Sequence, residues 1–385
     1  MVVPLPDYRG GSIVNLMASI ALARGSEAAL YSPLELLSPS RLLTSKNIVL
    51  IVIDGLGYEC LTSAGKSTGL YNHLQGRISS VFPSTTATAI TTFLTGIAPQ
   101  QHGLTGWHMY LRELGTVMAV LPFHPRPGAP RAKGFNTARV FDQRPIFDQL
   151  KVRSYVVVPS KIIDSVYNAA YSGSACRRAY NSSLQTLFRT VVRVLREHNE
   201  RKYVYAYYPE LDRVAHEYGP AGRKTQAHLA EIDLAFTQFL EQIKGSNTTV
   251  IMTADHGFIE TKERIELDNH PLLANALRLP LCGESRVAYC YVYPEKRVLF
   301  EHYVETRLAG QATLLSSEEL IKGGYFGLGP PHPRLQERIG DYTLIMKDGY
   351  VIKDWLPGEE RYRHIGVHGG MSAAEMYVPL IVVTV

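Results

Sequence analysis

The chain has 385 residues, of which 45% are hydrophobic and 19% charged, with a formal net charge of +5. That composition marks a globular protein, and so mild a charge over this length fits an anionic substrate without demanding a nucleic-acid partner. No apolar run reaches about 18 residues, so no membrane span is expected.

Residues 1–45 read as a helical lead-in punctuated by proline, with Asn15 to Ala23 apolar enough to pack on a core. Ile48-Val49-Leu50-Ile51-Val52-Ile53 is a continuous apolar run without alternation, which suits a strand covered on both faces and ending at Asp54-Gly55. Thr86 to Thr95 predicts a helix stopped by Gly96 in the left-handed region. Tyr155 to Val158 predicts a strand closed by Pro159. Ser182 to His198 and Ala221 to Lys244 carry apolar residues at helical spacing, Leu184, Leu187, Phe188, Val191 and Leu195 in the first and Leu229, Ile232, Phe236 and Phe239 in the second. Tyr203 to Tyr208 and Thr248 to Thr253 are further strands.

Strands alternating with helices predict an α/β fold with a mostly parallel central sheet flanked by helices. Residues 260–365 break the rhythm: a strand at Val287 to Tyr293, a helix at Glu295 to Leu308 and a hairpin at Asp341 to Trp355 turning at Lys347-Asp348-Gly349. They read as a small α+β insertion within one catalytic domain spanning 1–385. The last core element is an apolar strand, Val378 to Val385.

Cys60, Cys176, Cys282 and Cys290 form no C-x-x-C pair, which argues against a cysteine zinc knuckle and for free thiols in a reducing cytosol. No charged and then apolar leader opens the sequence, so the expected location is cytoplasmic. Arg177-Arg178 and Arg361-Tyr362-Arg363 read as ordinary solvated basic clusters.

Ligands of parallel sheets bind beyond the carboxyl ends of the strands. Asp54, Asp212 and Asp255 each lie just past a predicted strand, so three strands deliver carboxylates to one sheet edge. Asp212 and His216 are four apart and share one face of a helical turn. Asp255 and His256 are adjacent, and Gly257 lets the chain leave its strand sharply. His368 precedes Gly369-Gly370, which lets backbone approach a crowded site. Asp54 closes a buried strand, where an unpaired carboxylate is costly and a cation would partner it. Each residue also has a plain structural use: a helical ion pair, an orienting carboxylate, a turn histidine, a helix cap. Phe82 to Thr95 supplies the nucleophile candidate, a hydroxyl at the start of a helix whose free N–H groups face an incoming phosphoryl oxygen. A divalent cation would lower its pKa. Ser84, Thr85, Thr86 and Thr88 all remain candidates on these grounds, with a helix cap as the alternative role.

At these residues the chain resembles the alkaline phosphatase superfamily, and within it the type I phosphodiesterase/nucleotide pyrophosphatase family. The family pattern is an apolar strand ending in Asp-Gly, then Phe-Pro-Thr-x-Thr, then Thr-Gly-x-x-Pro-x-x-His-Gly. Here Phe82-Pro83-Ser84-Thr85-Thr86 and Thr95-Gly96-Ile97-Ala98-Pro99-Gln100-Gln101-His102-Gly103 match without a gap between them. The resemblance covers roughly 46–260 and 360–385. It implies an alkaline phosphatase-like fold, Thr86 as nucleophile, one metal site from Asp212, His216 and His368, and another from Asp54, Asp255, His256 and Thr86 Oγ. It further implies two divalent cations, zinc first and manganese also compatible with the ligand set, and hydrolysis through a phosphothreonine intermediate. The implied partner is a small phosphate ester or nucleotide. The family places an asparagine three residues after the nucleophile; this chain has Ala89 there.

Sulfatases need a C/S-x-P-x-R context that is absent around Thr86, and cofactor-independent phosphoglycerate mutases use serine and a larger inserted domain. Phosphonoacetate hydrolase is an alternative, since it shares the threonine and the six ligands. A phosphomonoesterase needs an added cation for its extra charge, for which Arg112, Lys133 and Arg139 are candidates. A non-catalytic metal-binding scaffold is the alternative outside enzymes. Trp107, His108, Tyr110 and Tyr208 are placed near the motifs in sequence and could stack on a base or serve in packing.

Overall fold

The structure, a computed structural model, describes residues 4–63, 68–127 and 137–385. The chain enters its main sheet with β1 (Asn47–Ile53) and β2 (Leu74–Ser79). It leaves for three short strands, β3 (His108–Leu111), β4 (Thr116–Ala119) and β5 (His124–Pro125). It returns with β6 (Arg153–Pro159), β7 (Cys176–Tyr180), β8 (Lys202–Tyr208) and β9 (Thr248–Thr253). The next stretch holds β10 (Ile259–Glu260), β11 (Glu263–Glu266), β12 (Cys282–Gly283), β13 (Val287–Cys290) and β14 (Ala312–Ser316). Then come β15 (Tyr342–Met346), β16 (Tyr350–Lys353), β17 (Gly366–Val367) and finally β18 (Tyr377–Thr384).

The main sheet runs β2-β18-β9-β1-β8-β6-β7. Its pairs β9-β1, β1-β8, β8-β6 and β6-β7 are parallel, and β18 runs antiparallel to both of its neighbours. This is the expected mostly parallel α/β architecture. Every residue of β1, β8 and β9 is buried, as strands covered on both faces must be. The helices Leu184–Arg196 and Arg223–Gln242 cover one region of the sheet through their apolar stripes, with Phe188 stacked on Phe239 at 4.8 Å between ring centroids. Ile13–Ala23 is helical and almost wholly buried, and it packs against the helix Thr86–Thr95. The latter is buried along its whole length and stops at Gly96, whose φ of 77° is the left-handed cap the sequence predicts.

The second sheet runs β14-β15-β13-β12-β3-β4-β5. It is therefore not assembled from 260–365 alone: β3 to β5, from 108–125, complete it through the pairing of His108 with Gly283. The expected hairpin over Asp341 to Trp355 does not form. The chain does turn at Lys347-Asp348-Gly349, but β15 already has β13 on one edge and β14 on the other. A strand has only two edges, so β16 pairs instead with β11, in parallel. Phe82, Val117, Tyr289, Phe326 and Met371 form a buried cluster that joins this sheet to the segment before Thr86. No helix among the described residues is long and apolar enough to cross a membrane, and the four cysteines are free thiols.

Candidate active site

Three neighbouring strands at the centre of the main sheet, β9, β1 and β8, end on the same side. Asp54 is the first residue past β1, and Asp255 and His256 come just after β9. From β8 the chain passes through Pro209 into the helix Glu210–Tyr218, which carries Asp212 and His216 one turn apart. A short ladder between β10 and β17, Ile259 opposite Val367, brings His368 to the same place. Gly257 is required where the chain leaves β9, because a Cβ there would lie 2.0 Å from the Ala374 carbonyl oxygen. All of the sequence-predicted ligands thus converge.

Most of these side chains use one polar atom for anchorage and turn another inward. Asp54 Oδ2 accepts a hydrogen bond from the Tyr207 hydroxyl. Asp255 Oδ1 accepts from the Gly55 and His256 N–H groups, each at 3.0 Å. His256 Nδ1 is 3.1 Å from the Gly257 carbonyl and His216 Nδ1 is 2.8 Å from the Gly366 carbonyl, so each ring donates from Nδ1 and turns Nε2 inward. The atoms turned inward, Asp54 Oδ1, Asp212 Oδ1 and Asp255 Oδ2, are buried and accept no hydrogen bond. His256 Nε2 lies 3.3 Å from Asp54 Oδ1, 3.5 Å from Asp255 Oδ2 and 3.9 Å from Asp212 Oδ1. His216 Nε2 and His368 Nε2 lie 3.4 Å and 3.7 Å from Asp212 Oδ1.

Buried carboxyl oxygens and imidazole nitrogens crowded together without further hydrogen-bond partners are costly, and cations would satisfy them. Two three-residue sets have ligand atoms mutually within 4.8 Å: Asp54, Asp255 and His256, and Asp212, His256 and His368. His256 thus faces both sets, and His216 adjoins the second through Asp212. The donor set of carboxylate and imidazole fits zinc or manganese.

Burial, followed by the charge of Asp54, pushes the Asp255 carboxyl up to about 8. Burial and the charges of Asp54 and Asp255 push Asp212 well above the carboxylate range, and burial raises Asp54 as well. Burial and the neighbouring His364 take His216 down to about 3; burial and the His256 and His216 rings take His368 well below its ordinary value. Bare of cations, the pocket therefore favours neutral carboxyls and neutral imidazoles. A divalent ion reverses this preference for the carboxylates and keeps the imidazoles neutral.

The hydroxyl candidates separate by geometry. Ser84 Oγ donates to the Gly370 carbonyl at 2.8 Å and Thr85 Oγ1 to Glu284 Oε1 at 2.7 Å. Thr88 is fully buried. Thr86 lines the cleft and its Oγ1 lies 3.2 Å from His256 Nε2. Thr85 is the N-cap residue, but its side chain makes no capping bond, which leaves the first-turn N–H groups free. Ala89 is buried in the hydrophobic core and offers no donor.

The site also rests on residues that motif reading passed over. Tyr207 reaches Asp54 because it sits opposite Val52 in the β1-β8 register. Glu375 accepts from Gly370 N at 2.8 Å and from Arg286 Nε and Nη2 at 3.0 Å each, and so fixes the turn after His368. Both partners are almost completely buried. The Ser372-x-x-Glu375 capping box was the sequence signal for it. Glu375→Ala should cost about 3–5 kcal/mol, because it strands the Arg286 guanidinium. Urea unfolding would show this as a lower midpoint at unchanged slope.

The cleft above the ligands has a volume of about 440 Å³. Trp107 and His108 line it. Tyr110 packs instead on Tyr291 at 5.5 Å, and Tyr208 is buried beside His228 at 5.8 Å, so these two serve in packing. Of the cations considered for a monoester, Arg112 is exposed and pairs with Glu337, and Arg139 lies in a short turn away from the cleft lining. Lys133 lies outside the described residues.

The family model for type I phosphodiesterase / nucleotide pyrophosphatase matches residues 48–371. Murine ectonucleotide pyrophosphatase/phosphodiesterase 5, as an inactive threonine-to-alanine variant in complex with AMP, superposes with a TM-score of 0.63 at 17% identity, over 86% of this chain and 87% of that one. The human form gives 0.63 at 16% identity, over 87% of each chain. Phosphonoacetate hydrolase from Sinorhizobium meliloti, in complex with phosphonoformate, gives 0.61 at 18% identity, over 88% of this chain and 90% of that one. At such identities the structural likeness is one of fold. No curated protein sequence matches the chain. The family match spans most of the sequence, and the chain belongs to the type I phosphodiesterase/nucleotide pyrophosphatase family.

Proposed function

We propose that this phosphodiesterase/pyrophosphatase-like hydrolase cleaves phosphoric esters with Thr86 as nucleophile, at a site holding two divalent cations. The observation that carries the reading is the convergence of three unsatisfied buried carboxylate oxygens on His256 Nε2, which itself lies 3.2 Å from the Thr86 hydroxyl. Asp54, Asp255 and His256 would hold one cation beside Thr86; Asp212, His216 and His368 would hold the other. Such ions lower the pKa of a nearby hydroxyl and offset charge on phosphoryl oxygens.

Thr86 Oγ forms a bond to phosphorus as the ester P–O bond on the opposite side breaks. The departing oxygen leaves toward Asp212, His216 and His368 and takes a proton from solvent. A water oxygen then bonds to phosphorus, and Thr86 Oγ leaves and recovers a proton. The free N–H groups at the start of the helix Thr86–Thr95 receive a phosphoryl oxygen, in the place of a side-chain amide at Ala89.

Zinc-loaded protein, compared on bis-p-nitrophenyl phosphate, p-nitrophenyl phosphate and phosphonoacetate, should turn over the diester fastest. Metal analysis should find two ions per chain. Preference for phosphonoacetate would move the site to phosphonate chemistry. A single weakly held ion with no turnover would leave a metal-binding scaffold.

A further inference from the structure

Two glycines seat a carboxylate beside the nucleophile. A Cβ at Gly106 would lie 2.7 Å from Gly283 Cα, so two backbones cross in contact here, where His108 pairs with Gly283. Gly283 is left-handed, with a φ of 79°, and the Glu284 N–H donates to the Val287 carbonyl at 2.8 Å. Glu284 therefore sits in a tight turn between β12 and β13. Its Oε1 accepts from the Thr85 hydroxyl and from the Trp107 N–H, each at 2.7 Å. A Cβ at Gly369 would lie 3.0 Å from both Cβ and Cγ of Glu284, so the stem packs on the backbone that follows His368. The carboxylate is thus fixed between Thr85, next to the nucleophile, and the turn that presents His368. It lines the cleft together with Thr86, Asp212 and His216.

The other carboxylates of this region are matched by cations. Asp354 and Glu359 hold the buried Arg126, at 2.9 Å and 2.6 Å, Glu375 holds Arg286, and Asp54, Asp212 and Asp255 face the proposed ions. Glu284 makes no ion pair among the described residues, and none of them donates to its Oε2. Lys353 and Arg264 line the same cleft, but they donate to the Tyr362 hydroxyl, at 2.9 Å, and to the His364 carbonyl. Arg112 and Arg139 lie away from the cleft lining. Beside Thr86 the protein therefore places a negative charge where a doubly charged phosphoryl group calls for a positive one. Like charges close together in a partly desolvated cleft repel strongly. A repulsive element of this kind discriminates between ligands that share the same attractive contacts.

We infer that Glu284 is a specificity-determining residue, whose carboxylate turns away doubly charged phosphoryl groups and leaves the site to singly charged ones. This rests on the hydrolase reading above and deepens it. The selection acts on the transferred group and not on the leaving part. A phosphorus that keeps a second ester or anhydride link is accepted, and a terminal phosphate is disfavoured.

The test compares p-nitrophenyl phosphate with its methyl diester on zinc-loaded protein, at a pH where the monoester is fully ionised. The two share a leaving group and differ in the charge of the transferred one. Glu284→Gln keeps an oxygen for the Thr85 hydroxyl and the Trp107 N–H and removes the charge. It should raise the ratio of kcat/KM for the monoester to that for the diester at least about 10-fold, through a gain on the monoester. Thr85→Val removes the hydrogen bond but keeps the charge, and should not raise the ratio. A rise equal to that of Glu284→Gln would assign the effect to loop packing and overturn the inference. In binding, Thr86→Ala protein is titrated calorimetrically with the same two compounds, with and without Glu284→Gln. The monoester should gain about 10-fold in affinity relative to the diester. An unchanged ratio, or equal changes on both compounds, would likewise overturn the role of Glu284. If neither compound turns over in the parent protein, the hydrolase reading fails separately, and the titration still decides whether Glu284 sets the charge that the site accepts.

Discussion

Thr86→Ala should lower diester hydrolysis by at least about 10⁴-fold, since a variant without its attacking atom keeps only what binding and charge stabilisation supply. The fold should survive. Thr86 is the first residue of its helix, alanine favours helix, and the hydroxyl's contact is with His256 Nε2 of the site rather than with the apolar core. Thr86→Ser keeps an oxygen at the same place and should retain a measurable fraction of the rate. Rapid mixing of Thr86→Ser with substrate, quenched in acid, should trap phosphate on the chain. Parent-like turnover by the alanine variant would remove Thr86 from the mechanism and return attention to Ser84 and Thr85, whose hydroxyls are 2.8 Å and 2.7 Å from other acceptors.

Removing the divalent ions should abolish activity and also invert the response of stability to pH. In the ion-free protein burial and the charge of Asp54 let Asp255 hold its proton up to about 8, and Asp212 is also raised well above the carboxylate range. The unfolded chain loses these protons near ~4. The stability that the raised carboxyls contribute is complete below that value and is lost as pH rises through the folded values. His216 and His368 act oppositely: their folded values are depressed, so their contribution is complete above the unfolded imidazole value of ~6.5. Between ~6.5 and about 8 only the carboxyls still change. Over that window the chelator-stripped protein should lose stability as pH rises, while zinc should bind more tightly because fewer protons must be displaced. Thermal melts at pH 6.5 and 8, with and without zinc, would read both slopes. Parallel slopes would mean that the inward-facing carboxylates are not where the ions bind.

The centre of the site was legible because its residues follow local rules. β1, β8 and β9 are unbroken apolar runs or nearly so, and aspartates that follow within a few residues, Asp54, Asp212 and Asp255, become the convergent carboxylates. Thr86 was not separable from Ser84 and Thr85 by sequence alone, since all three have hydroxyls near a helix start; their long-range partners, Gly370 and Glu284, make the distinction. Glu284, Lys353 and Arg264 were not legible at all. They reach the cleft through strands whose neighbours are set by competition for edges, as the failed hairpin at 341–355 shows. The same holds for the second sheet, which joins 108–125 to 282–346 across a wide gap in sequence.

The place of β18 has a consequence for the order of events during folding. It lies inside the main sheet, between β2 and β9, although it follows every other strand in sequence. Until residues 377–384 are available, β2 has no neighbour and the exposed edge of β9 can recruit another copy's strand. The pairing of β18 with β2 joins Tyr377 to Ser79, segments far apart in sequence, and such contacts form slowly. His368 and the buried Glu375 lie shortly before this strand, so the ion site proposed for Asp212, His216 and His368 is completed well after Asp54, Asp255 and His256 are in place. A chain arrested before residue 368 should be aggregation-prone and should lack the second of the two proposed ion sites.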